Sequence, residues 1–126
     1  MADGATTVLL VGATGFIGQH LQQHLLGQGH RVLGTSSDGS GAELACDIES
    51  QASVDAAIAS AAPDAIVLSA GQAAVAESWR DPVFTLRSNT SGAFHLLDGM
   101  RRHAPTAHLC FLSSAAVYGA PSGVAG

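Results

Sequence analysis

The residues with most to offer chemically are three glycines in the run Gly12-Ala13-Thr14-Gly15-Phe16-Ile17-Gly18. Glycine carries no reactive group; what it offers is a backbone whose N–H groups can approach an anion with no Cβ in the way. A helix N-terminus adds unpaired donors and a favourable dipole to the same place. In this arrangement Gly12 allows a tight turn, Gly15 lets the backbone come close to a phosphate, and Gly18 lets the first helical turn pack on the preceding strand. The amides of Phe16 and Ile17 are the expected phosphate donors, with Thr14 lining the same loop. Such a pattern is selective only in context, between an apolar strand and an amphipathic helix. Thr6–Val11 is a continuous β-rich apolar run that stops at Gly12, and from Phe16 onward Ile17, Leu21, Leu25 and Leu26 recur at helical spacing until Gly27 and Gly29. The stretch Thr6–Thr35 therefore reads as the phosphate-cradling start of a Rossmann-type fold, with NAD(H) or NADP(H) as the expected ligand.

Other reactive side chains are sparse. His20 and His24 stand four apart on the first helix, but no Cys or carboxylate lies near them in the sequence, so they read as solvent-facing and no metal site is expected. Cys46 and Cys110 are isolated within apolar segments and read as buried small hydrophobes. The chain has a single tyrosine, Tyr118, and no lysine.

The elements that must position the loop alternate in type. His30–Ser36 is the second strand, followed by a Ser/Gly-rich loop from Ser37 to Gly41, and Leu44–Ile48 is a short third strand. Val54, Ala57, Ile58 and Ala61 give the next helix one apolar face, stopped by Pro63, and Ala65–Ala70 is the fourth strand. Asp81-Pro82 is an N-cap followed by a first-turn proline; Val83, Leu86, Thr90, Ala93, Leu97 and Met100 line one predicted face of a helix running to about His103. Leu109–Ser114 is the fifth strand, and Gly119–Gly126 has no pattern. The predicted class is α/β: one domain over residues 1–126, the N-terminal five-strand portion of a doubly wound parallel sheet.

Composition narrows the partners. A chain of 126 residues, 47% hydrophobic, has material for one core. A net charge of −5, with five arginines as its only basic side chains besides histidine, leaves no basic stripe for nucleic acid. No apolar run approaches a membrane span and Met1-Ala2-Asp3-Gly4 lacks the basic start of a signal peptide, so a cytoplasmic location is expected.

These residues resemble the extended short-chain dehydrogenase/reductases, specifically the NAD(P)-dependent nucleotide-sugar epimerase/dehydratase/reductase group. Gly-x-x-Gly-Phe-Ile-Gly is that group's form of the loop. Asp47-Ile48 is similar to its adenine-contacting Asp-Ile pair, and Leu68-Ser69-Ala70-Gly71 to its His-x-Ala-Gly stretch beneath the cofactor, with Leu68 in place of the His. Glu77–Pro82 and Asn89-Thr90-Ser91-Gly92 resemble the segment ending in Asn-x-x-Gly-Thr, whose Asn braces the cofactor region. Ser113-Ser114-Ala115-Ala116-Val117-Tyr118-Gly119 is similar to its Ser-Ser-x-x-Val-Tyr-Gly signature.

The resemblance implies roles. Ser114 would bind the reacting sugar oxygen, as a hydroxyl that both donates and accepts can, with Gln72 and Ala115 beside it at the substrate and Ser113 at the cofactor. The family's base is a second tyrosine in a Tyr-x-x-x-Lys motif, which this chain lacks, so the chain is expected to correspond to the N-terminal part of a family member and to be inactive alone. Ser36, flanked by Thr35 and Ser37, falls where NAD-preferring members carry an acid. Their hydroxyls tip the expectation towards NADP over NAD, although no Arg lies nearby and Asp38 would serve as a ribose ligand if the strand ran longer. Ala115 and Ala116 stand where sugar dehydratases carry acids, which disfavours dehydration. A 4-keto-deoxysugar reductase or an epimerase acting on a nucleotide sugar remains, as a homodimer if full-length. The competing expectation is a non-catalytic NAD(P)-binding module completed by another polypeptide.

Overall fold

The computed structural model describes residues 4–71 and 75–119. β1 (Thr7–Val11) is the centre of a five-stranded sheet because both its faces are apolar and both are covered. Side chains alternate across a strand. Leu9 and Val11 accordingly enter one buried cluster with Ile66, Ile58 and Leu96, while Leu10 enters another with Ala13 and Val32. Helix α1 (Phe16–Gly27) covers the second cluster through Leu21 and Leu25.

β2 (Arg31–Ser36), β3 (Leu44–Ala45), β4 (Ala65–Leu68) and β5 (His108–Phe111) complete a wholly parallel sheet in the order β3-β2-β1-β4-β5. Leu9 stands opposite Leu33 on one side and Ile66 on the other. The chain winds outwards from β1 to β3 and returns across β1 to β4, so the crevice between β1 and β4 is the point at which the winding reverses. The expected doubly wound arrangement is thus present.

Helix α2 (Gln51–Ala61) is capped by Ser50, whose hydroxyl accepts the Ser53 amide at 3.3 Å. It buries Val54, Ala57, Ile58 and Ala61 as its spacing predicts, and ends at a left-handed Ala62 just before Pro63. A short helix, α3 (Val75–Arg80), precedes α4 (Pro82–Leu86), and Asp81 caps α4 by accepting the Phe84 amide at 2.9 Å. α4 passes through a π-helical turn, Arg87–Ser91, into α5 (Gly92–His103).

That turn changes the phase of the long helix. Val83, Leu86 and Leu97, predicted to face the core, are exposed, Leu86 by 66%. Of the predicted face Met100 is buried and Ala93 packs against the core, and the rest of the buried side is Ser88, Gly92, Leu96 and Gly99. A π turn holds more residues than an α turn, so a single 3.6-residue period cannot keep its phase on both sides of it.

Three predicted strands are shorter than read. β3 stops at Ala45, β4 at Leu68 and β5 at Phe111, because beyond the last ladder contacts the chain peels away to form loops. Those contacts are the Cys46 amide on the Ser36 carbonyl, the Ser69 amide on that of Val11, and the Leu112 amide on that of Leu68. The reading of Cys110 as buried is also corrected. It lies on β5, an edge of the sheet among the described residues, and is exposed, whereas Cys46 is buried.

Candidate functional site at the carboxyl ends of the strands

The glycine loop leaves β1 at the crevice. Gly12 has φ +91°, and a Cβ there would lie 2.7 Å from the Ala70 amide nitrogen, so only glycine lets β1 and the end of β4 approach this closely. The Ala13 amide bonds the Thr35 carbonyl at 2.8 Å, tying the loop to β2. Gly15 sits at the N-cap of α1 with no side-chain cap on the first turn, and a Cβ on it would meet only the Gly12 carbonyl oxygen, at 3.6 Å. Thr14, Phe16 and Ile17 are exposed around it. An uncapped, accessible helix N-terminus aimed into a switch-point crevice is a ready anion site.

Beside the loop lies a cavity of about 350 Å³. Its walls are Gly12 from β1, Ser36 and Ser37 from the end of β2, and Ala70 and Gly71 beyond β4. Cys46, Asp47, Ile48 and Glu49 close the β3 side, and Phe84 and Ser88 the helical side. The volume lies within the range of pockets that enclose small organic molecules. Together, the glycine cradle and this chamber fit a dinucleotide: a diphosphate over the loop and a nucleoside beyond the tip of β2.

The wall is internally braced. The Ser36 hydroxyl donates to the Ser40 carbonyl at 3.0 Å. Asp38 is not at the cavity; it accepts the Ser40 amide at 2.9 Å, a bond that holds its carboxyl below the usual range. β2 does not extend to Asp38, so the condition for its reaching a ribose is not met. Asp47 accepts the Glu49 amide at 3.0 Å, and its own amide donates to the Ser53 hydroxyl at 2.9 Å. Burial, reinforced by the Asp47 charge, pushes the Cys46 thiol up to about 11. Glu49 Oε1 is buried with no hydrogen-bond partner among the described residues, and the Arg87 Nε lies 3.9 Å away.

The sequence-expected residues divide into two groups. Gly12, Ser36, Ser37, Asp47, Ile48 and Ala70 come together at the cavity, with the loop residues Thr14 to Gly18 next to it. Leu68 is directed into the main core, and Ser69 joins the sheet through its amide. Asn89 lies against Gly71, its Oδ1 2.7 Å from the position a Cβ would take there. Ser113 and Ser114 are exposed past the end of β5, where the Ser114 carbonyl accepts the Val117 amide at 3.2 Å in a 3₁₀ turn, Ala115–Tyr118. Gln72 lies outside the described residues, as does the side chain of Ala115. His20 turns its Nδ1 to the Phe16 carbonyl at 2.8 Å.

Phe84, Ser88, Cys46 and Glu49 are not foreseen at the cavity by the sequence, whereas Gly71 belongs to the stretch expected beneath the cofactor. Cys46 and Glu49 flank the Asp47-Ile48 pair and Ser88 precedes Asn89, so adjacency to those landmarks was the available signal. Phe84 carried none, because only the fold brings α4 over the crevice.

Residues 8–125 match the model of the NAD dependent epimerase/dehydratase family. The chain is 34% identical to UDP-glucose 4-epimerase 4 of Oryza sativa subsp. japonica, over 95% of the chain and 37% of that protein. It is 30% identical to GDP-6-deoxy-D-mannose reductase of Pseudomonas aeruginosa, over 89% of the chain and 35% of that protein. Among solved structures, UDP-glucose 4-epimerase from Brucella ovis in complex with NAD superposes with a TM-score of 0.85 at 35% identity, covering 95% of the chain and 39% of that structure's. The chain thus spans under two fifths of the length of these relatives.

Proposed function

Because the chain belongs to the NAD-dependent epimerase/dehydratase family, we propose that it forms the dinucleotide-binding part of a nucleotide-sugar 4-epimerase that uses NAD. The observation that carries this is the uncapped α1 N-terminus at the β1/β4 switch point, next to a nucleoside-sized cavity. When bound, NAD supplies a hydride acceptor that can return the hydride.

The chain's own residues would divide the work. Amides of Phe16 and Ile17, with Gly15 giving access, hold the diphosphate. Ser36 and Ser37 face the ribose, and Asp47 and Ile48 the adenine. Asn89 braces Gly71 below the cofactor, and Ser114 offers a hydroxyl that can donate to, or accept from, the sugar oxygen as it alternates between alcohol and ketone.

NAD is preferred here over NADP, reversing the leaning taken from the serine hydroxyls alone. Two carboxylates, Asp47 and Glu49, line the cavity and no cation does, so a 2′-phosphate would meet like charge. Epimerisation is preferred to 4-keto reduction because the Oryza and Brucella relatives are named as 4-epimerases, the reductase being a more distant likeness. Cytoplasmic residence and homodimerisation belong to the same proposal. The second is supported by Val83, Leu86, Phe94 and Leu97, which are exposed along α4 and α5. Among the described residues no helix is long and apolar enough to cross a membrane.

A second reading is an NAD-binding subunit completed by another polypeptide: these 126 residues contain no lysine, so a Tyr-x-x-x-Lys pair would have to come from outside them under either reading. Calorimetric titration with NAD and NADP, followed by incubation with UDP-glucose, tests both. Tighter binding of NAD than of NADP supports the first reading, in which turnover awaits the remainder of the same polypeptide; appearance of the C4 epimer when a separate polypeptide carrying Tyr-x-x-x-Lys is added supports the second. Failure to bind either dinucleotide refutes both.

A further inference from the structure

The loop after β3 supplies the Asp47–Glu49 side of the cavity, yet β3 itself is only two residues long and pairs with β2 alone. A strand that short cannot by itself fix a wall against which a planar base must stack. What fixes it comes from a distant helix. His95 on α5 places Nδ1 2.7 Å from the Ile48 carbonyl oxygen. In return the His95 carbonyl accepts the Gln51 side-chain amide at 2.9 Å, and Gln51 is the first residue of α2. About two turns earlier along the helix, Arg87 of the π turn meets Glu49 at 3.9 Å. Ile48 also packs on Gly92, where a Cβ would come within 2.8 Å of its Cδ1.

A carbonyl oxygen only accepts, so Nδ1 of His95 must carry the proton, which fixes the ring's tautomer when it is neutral and its orientation in either state. The same long helix carries Asn89 against Gly71 on the opposite wall of the cavity. The helix thus braces both sides of one chamber, and the His95 bond is the link to the side that has no sheet of its own.

We propose that His95 is a positioning residue for the adenosine end of the dinucleotide site, holding Ile48 and its neighbours in binding geometry through the Nδ1–H donated to the Ile48 carbonyl. It touches no cofactor atom; it acts through Ile48. This rests on the cofactor assignment proposed above, and the test separates the two.

NAD and ADP are titrated calorimetrically into the full chain and into His95→Leu and His95→Asn, alongside thermal melts without ligand. Asparagine keeps an N–H donor at the δ position, and leucine keeps only bulk. Loss of one such hydrogen bond in a braced wall should weaken NAD roughly five- to tenfold in His95→Leu, with ADP falling by the same factor because only the adenosine end is disturbed. His95→Asn should recover affinity to within about twofold of the parent. A leucine variant that binds like the parent, or an asparagine variant no better than leucine, overturns the positioning role. A parent chain that binds neither ligand overturns the cofactor assignment instead. Should His95→Leu not fold, His95→Phe, which keeps a ring and removes the donor, takes its place: an NAD dissociation constant raised about fivefold or more supports the positioning role, and an unchanged one overturns it.

Discussion

Gly18 lies with its Cα against the carbonyl oxygen of Gly12, so close that a Cβ would overlap that oxygen and come within 2.8 Å of Ala13 Cα. The two outer glycines are therefore one structural device: Gly12 turns the chain, and Gly18 lets α1 begin directly on the turn. Gly15, between them, has ordinary extended dihedrals, φ −73° and ψ 171°, and a side chain there would meet only the Gly12 carbonyl oxygen, at an ordinary contact distance of 3.6 Å. No packing demand explains a glycine at 15; the proposed diphosphate, which needs the space, would.

Folding and binding should accordingly separate within one loop. Gly18→Ala forces backbone apart and is expected to lose about 1–3 kcal/mol of stability, seen as a lowered melting midpoint. Gly15→Ala should melt like the parent yet bind NAD weaker by on the order of tenfold, because the new methyl group occupies the approach to the α1 amides. Parent-like NAD affinity in Gly15→Ala would remove the diphosphate from this loop.

Asp81 offers a test of the helical wall. Its carboxylate accepts the Phe84 amide at 2.9 Å and its carbonyl the Thr85 amide at 3.1 Å, so the α4 N-terminus depends on it. Asp81→Ala should cost about 1 kcal/mol of stability, and Asp81→Asn or Asp81→Ser much less. Urea unfolding curves of the three variants check the order; equal losses in all three would mean that the cap contributes nothing.

How far the sequence discloses this site depends on whether the deciding force is local. Leu9, Leu10 and Val11 declare a strand buried on both faces, Val54 and Ile58 declare a helix face, and Asp81-Pro82 declares a helix start, since each is settled within a few residues. The burial of Ser88 and exposure of Leu97 are not declared, because the π turn that sets them arises from how α4 and α5 fit the sheet together. The same holds for Phe84, which lines the cavity without any motif, and for Cys110, whose exposure follows from β5's place in the strand order. At the site the glycine loop and Asp47-Ile48 were legible; the His95 and Arg87 contacts that brace them join residues 38 to 47 positions apart and left no pattern.

Acid sensitivity should originate between α2 and α5. Arg102 donates to both oxygens of Asp55, at 2.7 and 2.8 Å, and its hydrogen bond is the main cause of that carboxyl's lowered pKa, partly opposed by desolvation. Asp98 is lowered in the same way, chiefly by Arg101 and then by Arg102. A carboxyl whose pKa is depressed on folding contributes stability above its unfolded value, about 4, and loses it as the pH falls through the lower folded value. Arg102→Met should therefore melt lower than the parent at pH 7, with the gap closing as the pH falls below about 4. A gap that stays constant across that window would show that Arg102 acts through packing alone.

The two thiols should report on opposite ends of the sheet. Cys46 is buried beside Asp47 in the cavity wall and its thiol is pushed up to about 11, so at pH 8 it is neither accessible nor a thiolate. Cys110 is exposed on the β5 edge. A disulfide reagent such as dithionitrobenzoate should therefore react promptly with Cys110 in the native chain and reach Cys46 only on unfolding. Cys110→Ser should abolish the fast phase, and NAD should leave its rate unchanged, since Cys110 is not among the residues at the cavity. Prompt reaction of Cys46 in Cys110→Ser would mean that the β3 wall opens readily, and slowing of that reaction by NAD would then locate the ligand against it.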